Sequence, residues 1–434
     1  MKTKAAQAKD FAVQQKPVDA TNSDSGRWYL LALLTAIYAS HAMDRAVTSV
    51  IMQPIKQEFQ LSDTQLGALG GLTHGIAFCL AVLPIGWLAD RVSRRNLLGG
   101  LVTIWSGLTF LAGLAQSYWM LLLVRFGVGA AEAGGAPLSM SLIAERFPEK
   151  RRAQAVGIFY LGVAIGQGAI FVLGGYVARL LNWRWVYMIA GIPGLLMALL
   201  LIMTVRDRRS KTPATRPEAP AVGIPFADVF RFIAGSPATL LLLIAVMAAS
   251  MANNAIWAWM ASLLIRQRDF TIDSAGLLLG LSSGLCGGLG SAVSGAMVSR
   301  WAADSMYRMG LAAALVCLIG IPAGFGAIFA TDVTVISFCV LALGVILSAW
   351  LAPAFAFVLA LAPEQIRSSV LAVFQLGATF SAIAVVPVLV GFISDAIGGS
   401  SSLPLAMALV FSAEILAAAA FALSALSAAR RPQI

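Results

Sequence analysis

Charged residues are scarce in this sequence. Only 12% of its 434 residues are Asp, Glu, Lys or Arg, whereas 59% are hydrophobic; a soluble domain carries about 25% charged residues. The composition therefore excludes a soluble domain and predicts a polytopic membrane protein. The net charge of +10 does not indicate a nucleic-acid partner, because the basic residues fall in short segments between apolar runs and form no single basic face.

Cysteine and histidine are scarce as well, with four and two residues respectively. Each cysteine lies inside an apolar run, where it acts as a small hydrophobic side chain, and no metal-ligand spacing is visible. We expect no disulfide, no metal site, no cofactor and no enzymatic activity. Residues 1–27 lack an apolar core, so they are expected to form a disordered cytoplasmic tail and not a signal peptide.

Long apolar runs are what the sequence does have. Since about 20 apolar residues cross a bilayer as a helix, the sequence predicts an all-α integral membrane protein with twelve transmembrane helices. The predicted spans are 28–50, 64–89, 96–115, 118–145, 153–178, 184–205, 238–265, 274–299, 306–329, 332–360, 367–393 and 402–428.

The single long polar insert, residues 206–237, predicts a flexible cytoplasmic linker between two six-helix bundles, 28–205 and 238–428. Residues 429–434 would form a second cytoplasmic tail. The motif Pro-Glu-x-x-Arg occurs at 148–152 and again at 363–367, each time followed by Phe-x-Leu-Gly at the same distance. This repetition indicates that one structural unit occurs twice and that the two bundles are pseudo-symmetric.

The distribution of lysine and arginine predicts the orientation. If both termini are cytoplasmic, 23 of the 30 basic residues fall on the inner side and five on the outer side. Positively charged loops stay in the cytoplasm, so we expect a multi-pass protein of the plasma membrane, the inner membrane if the source is bacterial. We expect a monomer surrounded by membrane lipids.

Ionisable residues within the spans are candidates for function, because burying them in a membrane is costly. All but Glu414 belong to the first half: they are His41, Asp44, Arg45, His74, Arg125 and Glu132. At 1.5 Å per helical residue, Asp44 and Arg125 lie at similar depth, and His41 and Glu132 lie nearer the bilayer centre.

This arrangement suits proton coupling. Burial favours the neutral form of a carboxylic acid, whereas an adjacent arginine favours the charged form, so rearranging the arginine loads or releases a proton. The alternative is a static ion pair between Asp44 and Arg125. His41 and His74 are candidates either for proton carriers or for hydrogen-bonded packing residues.

The second half offers neutral polar and aromatic side chains instead of charges. Amides facing lipid would be unsatisfied, so we expect the asparagines of the seventh span and the glutamine of the eleventh to face a cavity. The predicted substrate-binding residues are Asn253, Asn254, Trp257 and Gln375, together with Tyr38 and Tyr160 of the first half.

The segment between the second and third spans reads Gly86-x-Leu88-Ala89-Asp90-Arg91-x-x-Arg94-Arg95. It resembles the loop 2–3 signature of the major facilitator superfamily. The resemblance implies two six-helix halves that alternate in exposing a central site. We expect a conformational latch in which Asp90 faces the N-terminus of the eleventh span. Its predicted residues are Gly86, Asp90, Arg91, Arg94 and Arg367.

Further motifs resemble the spinster-type lipid transporters: Met43-Asp44-Arg45, Leu61-Ser62-Asp63-x-Gln65-x-Gly67, Arg125-x-Gly127-Val128-Gly129-x-x-Glu132-Ala133, Phe147-Pro148-x-x-x-Arg152-x-x-Ala155, and Trp183-Arg184-Trp185 followed by Gly191-Ile192-Pro193-Gly194. This resemblance implies proton-linked transport of lysophospholipid- or sphingolipid-like amphiphiles, with Asp44, Arg45, Arg125 and Glu132 as coupling positions.

Other functions stay open. The same charged residues also resemble the organic anion:cation symporters, which would imply a small anionic substrate. Drug/proton antiport is disfavoured because the antiporter pattern places proline where this sequence has Gln167. A non-transporting membrane sensor on the same fold is disfavoured because the sequence shows no folded soluble domain.

Overall fold

The computed structural model describes residues 24–205 and 226–429, and within these ranges every regular element is a helix. Twelve long helices follow one another along the chain: α1 Asp24–Phe59, α2 Asp63–Ala89, α3 Arg94–Ala112, α4 Tyr118–Arg146, α5 Glu149–Leu180, α6 Trp183–Thr204, α7 Pro237–Gln267, α8 Ile272–Ala302, α9 Met306–Phe329, α10 Val333–Leu361, α11 Arg367–Ile397 and α12 Ser402–Ala429. The predicted all-α architecture with twelve membrane helices is confirmed.

Ten of the twelve helices are long and apolar enough to cross a membrane by length and composition alone. The two others are α1 and α3. Helix α1 contains three ionisable residues of the predicted site, and α3 begins with two arginines. The lower hydropathy of α1 therefore reflects the charged residues of the predicted site, and that of α3 reflects the arginines at its N-terminal end.

Most helices begin at a polar capping residue. Its side-chain oxygen accepts a hydrogen bond from a backbone N–H in the first helical turn, which has no partner within the helix. These caps allow one long helix to end and the next to start within a few residues. The capping residues are Ser62, Ser93, Ser117, Asn182, Ser236, Thr271, Ser305 and Asp332.

The two copies of the Pro-Glu-x-x-Arg motif adopt the same local geometry. Arg152 donates from Nε to the backbone oxygen of Phe147 at 3.1 Å, and Arg367 donates from Nε to that of Ala362 at 3.4 Å. In both copies the arginine lies in the first turn of its helix and folds back over the preceding loop. The sequence repeat is thus also a structural repeat at the starts of α5 and α11.

Part of the predicted linker is helical. Residues Phe226–Ala234 form a short linker helix that buries Val229 and Ile233 against the second half. These two residues are four apart and therefore share one helix face, which explains why this part of the linker is not the flexible chain that was predicted. Residues 24–27 of the predicted disordered tail belong to α1, so that part of the prediction is wrong. Residues 1–23 of the tail, 206–225 of the linker and 430–434 lie outside the described residues, and the domain boundaries stay a prediction.

The two halves touch at one end of the molecule, which we call the closed end; it contains the turn from α1 to α2. There α2 packs against α11, and α5 packs against α8. Backbones approach so closely that a Cβ atom on Gly67 would lie 2.1 Å from the backbone oxygen of Pro387, and one on Gly391 would lie 2.1 Å from that of Asp63. Only glycine fits at these two contacts.

A polar network joins the halves at the closed end. The carboxylate of Asp395 on α11 accepts hydrogen bonds from the backbone N–H groups of Asp63 and Thr64 at 2.9 and 2.8 Å, so it caps the N-terminus of α2. Asp63 in turn forms an ion pair with Arg266 of α7 at 2.9 Å and with Lys56 of its own half. Most of these bonds cross between the halves.

The opposite end, which we call the open end, contains the turn from α2 to α3. Asp90 is exposed there, and a Cβ atom on Gly86 would meet no other atom within 4 Å. The halves therefore diverge toward the predicted cytoplasmic side.

Removing Arg266 is expected to loosen the closed end. In Arg266→Ala, Asp63 loses a partly buried, charge-assisted hydrogen bond to the other half, which costs roughly 1–3 kcal/mol. The conformational equilibrium should therefore shift toward states in which this end is open. Spin labels on exposed cysteines introduced at Gln57 and Ser401, one on each half, should report longer distances by pulsed electron resonance.

Arg184→Ala is the matched control. Arg184 pairs at the same end with Glu58, but both residues belong to the first half. The hydrogen bond from Arg184 holds the pKa of the Glu58 carboxyl below its usual range, yet breaking it should leave the distances between halves unchanged. Equal distances in Arg266→Ala and the wild type would contradict the assignment of this contact to closure.

Candidate functional site

A cavity of about 470 Å³ lies between the two halves near the middle of the molecule. Because the halves meet at the closed end and diverge at the open end, the cavity faces the open end. All six residues predicted to bind substrate lie on its wall: Tyr38, Tyr160, Asn253, Asn254, Trp257 and Gln375. The structure therefore brings together side chains from α1, α5, α7 and α11.

Charge is divided unequally across this cavity. The first half contributes His41, Arg45, His74 and Arg125 to the wall, whereas the second half contributes amides, hydroxyls and apolar groups. Arg45 is only partly buried, and no acidic residue in the described part of the chain forms an ion pair with it. Its positive charge is therefore available to a ligand in the cavity.

Asp44 and Arg125 are neighbours, as the depth argument predicted, but their side chains do not pair in this conformation. Arg125 donates from Nη1 to the backbone oxygen of Asp44 at 3.0 Å. Asp44 is completely buried, and neither carboxylate oxygen accepts a hydrogen bond from the described residues. The guanidinium thus contacts the main chain of α1, and among the described residues the carboxyl group of Asp44 forms no ion pair.

Glu132 lies between the two histidines of the chain. Its Oε2 atom is 3.0 Å from Nε2 of His41 and 3.4 Å from Nε2 of His74. Close packing of α2 against α4 produces this contact, since a Cβ atom on Gly129 would lie 2.3 Å from the backbone oxygen of His74. The sequence alone leaves the role of His74 open; Gly129, one turn before Glu132, is the sequence signal for this contact.

Aromatic rings connect His41 to the cavity. The imidazole stacks on Tyr38 with ring centroids 5.3 Å apart, and Tyr38 stacks on Phe159 at 4.3 Å. Tyr160 meets Tyr38 edge to face at 5.6 Å. Of the two tyrosines predicted as substrate residues, Tyr38 therefore lies in direct contact with His41 of the buried ionisable cluster, and Tyr160 contacts Tyr38.

The side-chain amides of the second half differ in how free they are to form hydrogen bonds with a ligand. Asn253 donates from Nδ2 to the backbone oxygen of Leu347 on α10 at 2.7 Å, which fixes its orientation. Asn254 has a buried side-chain oxygen with no hydrogen-bond partner in the described chain, and Gln375 is exposed to the cavity. Asn254 and Gln375 are therefore the freer groups for a ligand.

The predicted latch residues bind within their own halves in this conformation. The guanidinium of Arg91 lies 3.7 Å from the ring centroid of Trp87, and Arg94 pairs with Glu145. Asp90 is exposed, and Arg367 is bonded to Ala362. The two halves are separated at the open end in this conformation. The latch role of these residues therefore stays a prediction for a conformation in which that end closes.

Sequence reasoning missed the closed-end network of Lys56, Asp63, Arg266 and Asp395. Their charges fall at predicted span ends, where exposed charges are ordinary. One signal was present in the capping box, in which Ser62 bonds to the N–H of Gln65 and the Gln65 side chain bonds to the N–H of Ser62. It marks the start of α2, next to Asp63.

Comparison with known proteins places the chain in a family. The sequence model of the Major Facilitator Superfamily matches residues 34–387. An MFS-type efflux pump of Mycolicibacterium smegmatis is 28% identical over 396 residues, which cover 89% of this chain and 90% of that protein. Human protein spinster homolog 1 is 28% identical over 317 residues, 67% of this chain and 57% of its own length.

A solved structure agrees with these matches. A bacterial homolog of the human lysosomal transporter spinster, in an inward-facing and unoccupied conformation, superimposes with a TM-score of 0.81 at 25% identity and covers 95% of this chain and 100% of that one. The fold, the match over most of the chain and the central cavity lead to one conclusion: this chain belongs to the Major Facilitator Superfamily of membrane transporters and is similar to its spinster-type members.

Proposed function

We propose that this protein is a proton-coupled secondary transporter that moves an amphiphilic, lysolipid- or sphingolipid-like substrate by alternating access. The observation that carries the proposal is a central cavity, closed at one end, whose wall has cations on one half and whose buried acids lie directly behind that wall. The positive-inside distribution supports an open end facing the cytoplasm of a bacterial inner membrane.

The chemistry of the wall fits an amphiphile. Arg45, with Asn254 and Gln375 opposite, provides donors for an anionic or zwitterionic head group. The same cavity has an apolar wall on α10 and α11 against which an acyl chain can pack. The residues of this apolar wall are Leu347, Leu351, Phe355, Ala378, Ala382 and Ile383.

A second candidate is symport of a small organic anion. The unpaired charge of Arg45 favours it, because this cation would serve a carboxylate as well as a phosphate head group. A small anion would leave the apolar wall of the cavity without a binding partner, so we rank the amphiphile first.

Alternating access would use the same helix pair at both ends. At the closed end, an acid near the C-terminus of α11, Asp395, caps the N-terminus of α2. At the open end, Asp90 terminates α2 and Arg367 begins α11. When the open end closes, Asp90 would cap α11 in the corresponding way.

Proton coupling would follow from the cost of charge at the buried acids. Asp44 and Glu132 are shielded from water. A negatively charged carboxylate in such a place is costly in free energy unless a cation pairs with it, and protonation removes the cost. A substrate anion at Arg45, or a shift of Arg125 toward a carboxylate, would change that balance. Protonation and conformation would thus be linked.

Substitutions of the ligand-binding residues are expected to weaken ligand affinity. Arg45→Ala, Asn254→Ala and Gln375→Ala each remove hydrogen-bonding groups from the cavity wall. Each should therefore weaken binding by about 1–3 kcal/mol, roughly 5- to 150-fold in Kd. Thermal shifts measured with lysolipids, sugar acids and aromatic acids report this, because a ligand stabilises the folded protein in proportion to occupancy.

Gln57→Ala, at an exposed position of the closed end, is the control and should bind as the wild type does. Stabilisation by lysolipids but not by the acids would support the amphiphile, and the opposite pattern would support the anion symporter. Unchanged affinity in all three cavity variants would contradict the assigned binding wall.

Neutralising the buried acids should imitate protonation. Asp44→Asn and Glu132→Gln should each shift the ratio of open-end to closed-end conformations in the direction in which acid shifts the wild type, and each should remove most of the pH dependence. Arg125→Ala should behave differently, because it removes the cation beside Asp44 and should impair folding or fix that acid in its protonated form. Distances between spin labels at both ends, measured between about pH 5 and 8, provide the test.

Arg184→Ala again serves as the control, since it changes a charge outside the buried cluster. If the wild-type distances do not respond to pH over this range, the cluster is a static structural feature and proton coupling is wrong.

A further inference from the structure

Two imidazoles converge on one oxygen atom in this protein. The chain contains two histidines, and both direct Nε2 toward Oε2 of Glu132, at 3.0 and 3.4 Å. Among the described residues these two rings are the only cationic or potentially cationic groups within ion-pair distance of the Glu132 carboxylate. The chemistry of Glu132 therefore depends on His41 and His74.

Glu132 is sealed from the cavity by these rings. Its side chain is 0% exposed and is absent from the cavity wall, whereas His41 and His74 both lie on that wall. The His41 side chain retains 6% exposure and the His74 side chain 2%. A proton that travels between the cavity and Glu132 has to pass an imidazole.

Other charged groups face this cluster from several helices. Arg125 lies two turns earlier on α4, Asp44 lies one turn from His41 on α1, and Arg45 is near His74. None of them forms an ion pair with Glu132 among the described residues, which leaves the histidines as its direct contacts. Arginine does not release a proton at physiological pH, so these cations cannot serve as carriers.

We propose that His41 carries protons between the cavity and Glu132, and that His74 is a positioning residue that holds the Glu132 carboxylate against His41. This inference rests on the proposed proton-coupled transport, and it assigns the proton path within it.

The transfer is balanced in protons. A hydronium ion in the cavity donates a proton to Nδ1 of a neutral His41 ring that already carries a proton on Nε2, which gives an imidazolium and leaves a water molecule. The Nε2 proton then passes to Oε2 of Glu132, which becomes a neutral acid, and His41 is left neutral with its proton on Nδ1. Release of the proton runs through the same steps in reverse. No other reactant is needed.

His74 cannot replace His41 in this role. His74 lies on the cavity wall, but both of its ring nitrogens are buried, whereas for His41 this holds only for Nε2. Protons from the cavity therefore reach the His41 ring more readily. A proton on Nε2 of His74 would instead stabilise the charged form of Glu132 and fix its orientation. Loss of His74 should therefore change the midpoint pH at which Glu132 is protonated. Loss of His41 should change the rate of that protonation.

The experiment follows the carbonyl stretching band of a buried carboxylic acid by infrared difference spectroscopy on the full-length protein, with protons as the probe. Glu132→Gln identifies the band of Glu132, and Asp44→Asn identifies that of Asp44. Static titrations give the midpoint, and a rapid pH jump gives the rate of protonation. No transport substrate is required.

In His41→Gln the amide keeps a hydrogen-bond donor near Oε2 but cannot relay a proton, so the rate should fall on the order of 100-fold while the midpoint moves little. In His74→Leu the donor is lost, so the midpoint should rise by about one pH unit with little change in rate. His74→Gln, which restores a donor, should bring the midpoint back toward the wild-type value.

An unchanged rate in His41→Gln would overturn the relay, and an unchanged midpoint in His74→Leu would overturn the positioning role. In both cases a Glu132 band that still titrates would leave proton coupling intact. Absence of any titrating carboxyl band in the wild type would instead overturn the proposed function itself. Retained infrared amide bands in each variant show that the fold is preserved.

Discussion

The cost of placing charge inside a membrane governs this structure. Each ionisable side chain in the interior has to be neutral, paired or in contact with a polar cavity. The first half meets this requirement by gathering Asp44, Arg125, Glu132 and the two histidines into one cluster beside the cavity. The second half largely avoids the cost, because it faces the cavity with amides and hydroxyls. Under the proposed function, this unequal division of charge places proton transfer in the first half and the neutral polar groups of the binding wall in the second.

Helix α2 links this cluster to both ends of the molecule. It carries Asp63 at the closed end, His74 at the centre and Asp90 at the open end. A π-helical turn at Ala68–Leu72 separates Asp63 from His74, and it packs against a second π-helical turn on α11, Phe380–Val385. Such turns recur at functional positions in helices. The contact between His74 and Glu132 and the contact between the two halves therefore lie on the same helix.

Hydropathy and helical rise were enough to predict the twelve helices and the common depth of Asp44 and Arg125. They did not predict that Arg125 would bond to the main chain of Asp44, or that His74 would meet Glu132, because these contacts depend on how each helix is rotated about its axis. Gly129 indicates the rotation of α4, because its missing side chain allows the backbone of α2 to approach that face of the helix. The ion pair of Asp63 with Arg266 was missed for a different reason: residues 203 positions apart at span ends carry no periodic signal that joins them.

In the proposed mechanism, substrate movement and proton movement are one process that runs through Glu132. The most direct measurement uses vesicles that contain the reconstituted protein and a trapped pH indicator, with a lysolipid supplied on one side. The account predicts that lysolipid movement changes the internal pH in wild-type vesicles, and that Glu132→Gln abolishes this pH change. Lysolipid movement by the wild type at an unchanged internal pH would contradict it.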